Sequence, residues 1–178
     1  MKKLLLAIAV FALLLMFQFT KAAEETEIGL QRVNVHLLQE DGDRVKYNNR
    51  LFSGIAVFKD GDGSLVSETE YSNGTPYGIC HVYYKTGQIY SETAFEAGVA
   101  TRITTYYPNS KRKSDFTLSD GTVDGYSSTF FPSGKPKGYT EYTAGKKNGM
   151  SIKYSESGDI VDFQIWENDT IVKGGDKK

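Results

Sequence analysis

The stretch "YSNGTPYGICHVYYKTG", Tyr71 to Gly87, sets an aromatic before Asn-Gly, a second glycine four residues on, a tyrosine pair, and a third glycine nine residues after the second. Glycines so placed can cradle a phosphate or can punctuate strands, and recurrence separates the two readings. The segment "SNGTPYG" returns as "EAGVATR", "SDGTVDG" and "TAGKKNG". Its first glycine falls at Gly74, Gly98, Gly121 and Gly145, in steps of 24, 23 and 24 residues. The same count places Arg50 before the series and Asp169 after it. The second glycine stands at Gly54, Gly78, Gly125 and Gly149, with Arg102 breaking the column. The third stands at Gly63, Gly87, Gly134 and Gly158, with Ser110 in the middle copy. A phosphate loop is used once and opens a helix, whereas these glycines lead into aromatic and β-branched runs in every copy.

Each copy holds two runs of strand length. "ICHVYY" (79–84) is matched by "ITTYY", "YSSTFF" and "MSIKY". "QIYSETAF" (88–95) is matched by "SLVSETEY", "KRKSDFTL", "KPKGYTEY" and "DIVDFQIW". Dense Tyr, Phe, Thr, Ile and Val between Gly and Asn reads as strand and turn. The expectation is an all-β repeat protein of consecutive antiparallel β-hairpins, an extended meander of roughly a dozen strands. A lone hairpin is marginal in water, so stability must come from hairpin stacked on hairpin. The middle copy is one residue short and lacks two glycines, which predicts a bend or bulge there.

Strand parity sorts the aromatics. Tyr83, Tyr106, Phe130 and Tyr154 form one column, and Tyr84, Tyr107 and Phe131 form the next, so aromatic ladders are expected on opposite faces. These seven residues are the candidate partner surface, since exposed aromatics favour interfaces. They serve equally as a ladder that stabilises a sheet with little core.

Outside the repeats, residues 1–23 open with Lys2 and Lys3 and continue with an apolar run from Leu4 and small residues at Ala22 and Ala23, the layout of a secretory signal peptide. An uncleaved anchor is the alternative, although the run falls short of the roughly 20 residues that span a bilayer. Cleavage is expected after Ala22 or after Ala23; either leaves 18 basic against 22 acidic residues, and the expected product is exported, periplasmic or extracellular. Its mildly acidic balance argues against nucleic acid. Residues 24–46 are expected to cap the leading edge as a hairpin, pairing "RVNVHLL" (32–38) through the Asp-Gly turn of "EDGDR". Repeats of about 24 residues then fill 47–173, and 174–178 is expected to be a flexible tail.

Chemistry-bearing residues are few. His36 and His81 lie in different elements without metal-ligand or triad spacing. "KDGDGS" (59–64) resembles the start of a calcium loop but has Leu65 where an EF-hand needs glycine and Tyr71 where it needs glutamate, so an Asp-Gly turn is expected. Cys80 has no cysteine partner and reads as a small hydrophobe. Glu68, Glu92 and Asp115 form a carboxylate column at repeat spacing, read as a solvated sheet face rather than paired acids. No catalytic, cofactor or metal residues are assigned, and an enzyme is not expected.

The pattern "LFSGIAVF", "SETEYSNGTPYGICHVYYKTGQIYSETAFEAG" and "SDGTVDGYSSTFFPSGKPKGYTEYTAGKKNG" resembles the bacterial MORN-type repeat, in the variant found in proteins commonly labelled YwqK-family antitoxins. The resemblance covers about Tyr47 to Lys173. It implies a scaffold with protein or membrane-lipid contacts and no catalysis of its own, binding an unknown protein partner in an antitoxin- or immunity-like role. A glycan- or lipid-surface binder using an aromatic sheet face is the alternative.

Overall fold

The computed structural model describes residues 30–176. The expected signal peptide lies outside them. Fifteen strands follow in chain order: β1 Arg32–Asn34, β2 Gln39–Asp41, β3 Arg44–Tyr47, β4 Arg50–Leu51, β5 Gly54–Lys59, β6 Leu65–Ser72, β7 Thr75–Tyr83, β8 Ile89–Glu96, β9 Val99–Tyr106, β10 Arg112–Ser119, β11 Thr122–Phe130, β12 Pro136–Thr143, β13 Lys146–Tyr154, β14 Ile160–Glu167 and β15 Thr170–Asp176. From β5 onward every strand pairs antiparallel with its sequence neighbour, and β1 adds to β5 in parallel, giving a 12-stranded sheet. β2, β3 and β4 make a separate three-stranded sheet. The all-β hairpin meander is thus the observed architecture.

Two turns alternate along it. One end of each hairpin is a two-residue turn with both residues left-handed, as at Asn73 (φ 49°) and Gly74 (φ 81°). This is the type I′ geometry, whose twist matches that of the flanking strands. Adjacent turns are tied across repeats, the Gly98 N–H donating to the Pro76 carbonyl at 2.9 Å and Gly145 to Val123 at 2.9 Å. The other end is a three-residue loop. Tyr84 N–H donates to the Gln88 carbonyl at 2.8 Å, and Gly87 N–H closes onto the Tyr84 carbonyl at 2.8 Å with Gly87 left-handed (φ 87°). A type I turn ending in a left-handed residue has this pattern.

The second glycine has a different task. In β7, residues 77–79 oppose Glu70 alone, and in β13 residues 148–150 oppose Glu141 alone. Gly78 (φ 71°) and Gly149 (φ 112°) sit at the centres of these wide bulges. A Cβ on Gly149 would run into the Glu141 carboxylate, which accepts the Met150 N–H at 2.7 Å. In the middle copy the bulge is smaller, with only Thr101 lying between the partners of Ala94 and Phe95, as is the one in β15, where only Val172 lies between the partners of Ile165 and Trp166. That accounts for the middle copy's missing residue. It also removes the need for a left-handed centre: by strand pairing Thr101 takes the place of the second glycine, and Arg102, opposite Thr117, stands in the column of Ile79, Tyr126 and Met150.

The N-terminal expectations need correction. β1 covers the leading edge, but as a parallel strand rather than half of a hairpin, and Arg32 reinforces it with an ion pair to Glu68 on β6. Val35–Leu37 is a 3-10 turn, because the Asn34 side chain accepts the His36 N–H at 2.9 Å and breaks the expected alternation. The hairpin at the Asp-Gly turn pairs β2 with β3 instead. The next turn uses Asn48 and Asn49, both left-handed, one residue before the position that the 24-residue count gives to Arg50. Residues 47–51 therefore belong to the small sheet, and the regular meander starts at Gly54. Phe52 (2 % exposed), Val33 and Ala56 form a small core there, with Leu38, Val45, Tyr47 and Tyr71 packed against it. At the far end, β15 pairs with β14 as far as Asp176, into the 174–178 segment expected to be a flexible tail.

No side chain among the described residues is fully buried, and the few buried ones beyond that core include the polar Thr104 and Asp115. The molecule is a single layer over most of its length. Each hairpin leans on its two neighbours, as in other repeat proteins.

Candidate interaction surface

Because the register is regular, one unbroken line of side chains crosses the sheet on one face. It runs Val57, Glu68, His81, Glu92, Thr104, Asp115, Ser128, Tyr139, Ile152 and Phe163, each directly opposite the next. The carboxylate column lies in the first half of this line. It is not a solvated face. Glu68 pairs with Arg32 and accepts the Tyr83 hydroxyl at 3.1 Å. Glu92 lies 3.4 Å from His81 Nε2 and accepts the Tyr106 hydroxyl at 2.6 Å. Asp115, 2 % exposed, is held by Arg102 through Nε at 2.7 Å and through Nη2, by Arg112 Nη1 at 3.5 Å and by the Thr104 hydroxyl at 3.5 Å.

These residues open a cleft of about 330 Å³ lined by Ile79, Glu92, Ala94, Arg102, Tyr106 and Arg112. Its electrostatics are internally balanced. The hydrogen bond to Asp115 raises the Arg102 guanidinium further above its ordinary range. Burial, and then the bond to Glu92, push the Tyr106 phenol up to about 12. Cys80 faces the other side of the sheet from His81, and its sulfur accepts the Thr69 hydroxyl at 3.2 Å.

The seven aromatic candidates are placed as follows. Tyr83, Tyr106, Phe130 and Tyr154 end their strands, half-buried, on the face of the carboxylate line. Two of them spend their hydroxyls on Glu68 and Glu92, and Phe130 lies 5.8 Å from the Arg112 guanidinium. Tyr84, Tyr107 and Phe131 are outside the strands, at the start of the three-residue loops, so the expected second ladder on the opposite face does not form. The Tyr84 hydroxyl donates to the Tyr106 carbonyl at 2.8 Å, and that of Tyr107 to the Phe130 carbonyl at 2.9 Å. These two side chains clamp one repeat to the next.

The outward-facing row at this edge comes from residues that sequence reading passed over. Every hairpin has a second, small bulge just after the three-residue loop. The extra residue is the half-buried Val66 in the first hairpin and Tyr90, Lys113, Lys137 and Val161, each exposed, in the next four. Tyr90 packs edge-on against Tyr84 at 5.2 Å, Lys113 Nζ sits 5.9 Å over the Tyr107 ring, and Lys137 Nζ 5.7 Å over Phe131. Their signal in the sequence is weak, since a one-residue bulge reverses the parity used to assign faces.

In the "KDGDGS" loop, Asp60 Oδ1 accepts the Asp62 and Ser64 N–H groups, both at 3.0 Å, as an ordinary turn residue does. No group of His, Cys, Asp and Glu among the described residues is arranged to hold a metal ion.

No family model and no curated protein matches this chain. Among solved structures, the chain is similar at 12 % identity and a TM-score of 0.29 to one described as accessory secretory protein 1, 2 and 3 in Streptococcus pneumoniae. The match covers 79 % of this chain and spans 22 % of that one.

Proposed function

We propose that the chain is a non-enzymatic interaction module built of MORN-type repeats, exported, which binds a partner protein along its repeat sheet in an antitoxin- or immunity-like role. The observation that carries this reading is the single-layer architecture. Eleven consecutive strands from β5 to β15 hold one another in register with almost no core beneath them, leaving long, half-exposed faces with a repeating set of side chains. Repeat sheets of this kind serve as extended binding surfaces. The polar groups of the cleft are committed to one another, which suits a rigid platform.

Photo-crosslinking in the native cells tests it, with the crosslinker at Tyr77 in one strain and Tyr90 in another. These side chains are 56 % and 41 % exposed and lie toward opposite ends of the hairpins. A discrete protein adduct from either position supports the reading. Intact protein in the exported fraction with no adduct from either, together with retention on envelope polysaccharide or lipid, would overturn it in favour of a glycan- or lipid-surface binder.

A further inference from the structure

The row of bulge residues has a period and a charge pattern that specify what it can bind. It reads Tyr90, Lys113, Lys137, Val161 across four consecutive hairpins. The two central members are reinforced by Lys111 and Lys135, whose ammonium groups are fixed on the Ser133 carbonyl at 2.6 Å and the Glu156 carbonyl at 2.8 Å of the neighbouring loops. None of these four lysines lies within 4.0 Å of a carboxylate among the described residues, although other lysines do, such as Lys46 with Asp41 and Lys153 with Asp162. The chain as a whole carries a formal charge of −1, so this concentration is local. Acidic loops lie further out, with Asp60 and Asp62 beyond the Lys85 loop toward one end and Glu156 and Asp159 in the Val161 hairpin at the other.

Successive members of the row are two strands apart, about 9.6 Å at the usual spacing of about 4.8 Å. An extended polyproline-type segment returns to the same side every three residues, about 9.3 Å. The rings beneath Lys113 and Lys137 are already capped by ammonium groups, which leaves charge rather than open aromatic faces to meet a ligand.

We propose that this row docks an extended acidic segment of a partner protein, with carboxylates three residues apart on Lys113 and Lys137 and apolar side chains on Tyr90 and Val161 beyond them. The inference rests on the protein-partner reading above and names the partner's chemistry. Preset ammonium groups favour such a ligand because little side-chain freedom remains to be lost on binding.

The test uses the full chain and two labelled peptides of equal composition, a periodic one reading Leu-Pro-Pro-Glu-Pro-Pro-Glu-Pro-Pro-Leu and one with the two glutamates adjacent. Fluorescence anisotropy should show tighter binding of the periodic peptide, weakening with added salt. Lys113→Gln with Lys137→Gln should weaken it about fivefold, the loss of two exposed ion contacts. Lys59→Gln with Lys146→Gln removes the same charge elsewhere and should leave binding unchanged. Equal binding of both peptides, equal loss in both double variants, or no binding would overturn the proposal. Tighter, lysine-dependent binding of alginate than of the periodic peptide would also overturn it, assigning the row to an acidic glycan. A protein adduct at Tyr77 without peptide binding would leave the protein-partner reading standing and overturn this one alone.

Discussion

The Arg102 guanidinium engages both carboxylate oxygens of Asp115 in the middle copy, next to its shortened bulge. Arg102 lies opposite Thr117 on β10, in the column that holds Ile79, Tyr126 and Met150 in other copies, and from there a long side chain reaches Asp115 two residues along the same face. Arg102→Gly leaves Asp115, 2 % exposed, with only the more distant Arg112 and Thr104. Stability should fall by about 2 kcal/mol. A fully buried pair would lose more, but Arg102 is itself 46 % exposed at the side chain. Urea denaturation of Arg102→Gly, Asp115→Ser and the double variant would check this. The double variant should be more stable than the sum of the single losses implies.

Tyr106 gives the fold a dependence on alkaline pH. Its phenol is raised from 10.0 to about 12 by burial and by its bond to Glu92, so the folded chain holds the proton where the unfolded chain releases it. Its contribution to stability is therefore intact below pH 10 and declines as pH rises through about 12. The difference in phenolate absorbance between the wild type and Tyr106→Phe should show a single titration near pH 12. In a Glu92→Gln background that titration should move toward lower pH, because a charged neighbour no longer opposes the phenolate.

Much of this was legible in the sequence because glycine spacing reports backbone conformation directly. Gly74, Gly98, Gly121 and Gly145 each mark a turn that needs a left-handed residue, and they recur where strands reverse. Legibility ended where one residue more or less shifts a register. Arg102 was visible as a break in the glycine column, but its partner Asp115 lies 13 residues away across a bulge whose size only the pairing reveals. Lys113 and Lys137 escaped for the same reason, and Tyr84 and Tyr107 fell in loops where strand parity does not apply. The capping segment departed furthest, since the Asn34 side chain captured a backbone N–H that simple alternation leaves to a strand.

The same turn is made with different residues in different copies, which creates room for improvement. Ala97 and Ala144 hold φ of 48° and 49° at the first turn position, where Asn73 and Asn168 stand in other copies. Alanine gains nothing from the left-handed region, whereas asparagine tolerates it through local hydrogen bonding. Ala144→Asn should stabilise the chain by about 0.5 kcal/mol, visible as a rise of about 1–2 °C in Tm by circular dichroism. Unchanged or lowered Tm would mean that the turn is held by its neighbours rather than by its own preference.

Gly149 offers the opposite test, because both backbone and space exclude a side chain there. At φ 112° an alanine is strained, and its methyl group would displace the Glu141 carboxylate from the Met150 N–H. Gly149→Ala should therefore cost roughly 2 kcal/mol, combining a left-handed penalty with a lost charge-assisted bond. The meander makes the effect local. β13 meets only β12 and β14 in the sheet, so amide hydrogen exchange should accelerate most in residues 136–167 and little in β7 and β6, six and seven strands away. Uniform acceleration across the sheet would instead show that the repeats unfold as one cooperative unit, and would remove the basis for treating each hairpin as leaning on its neighbours alone.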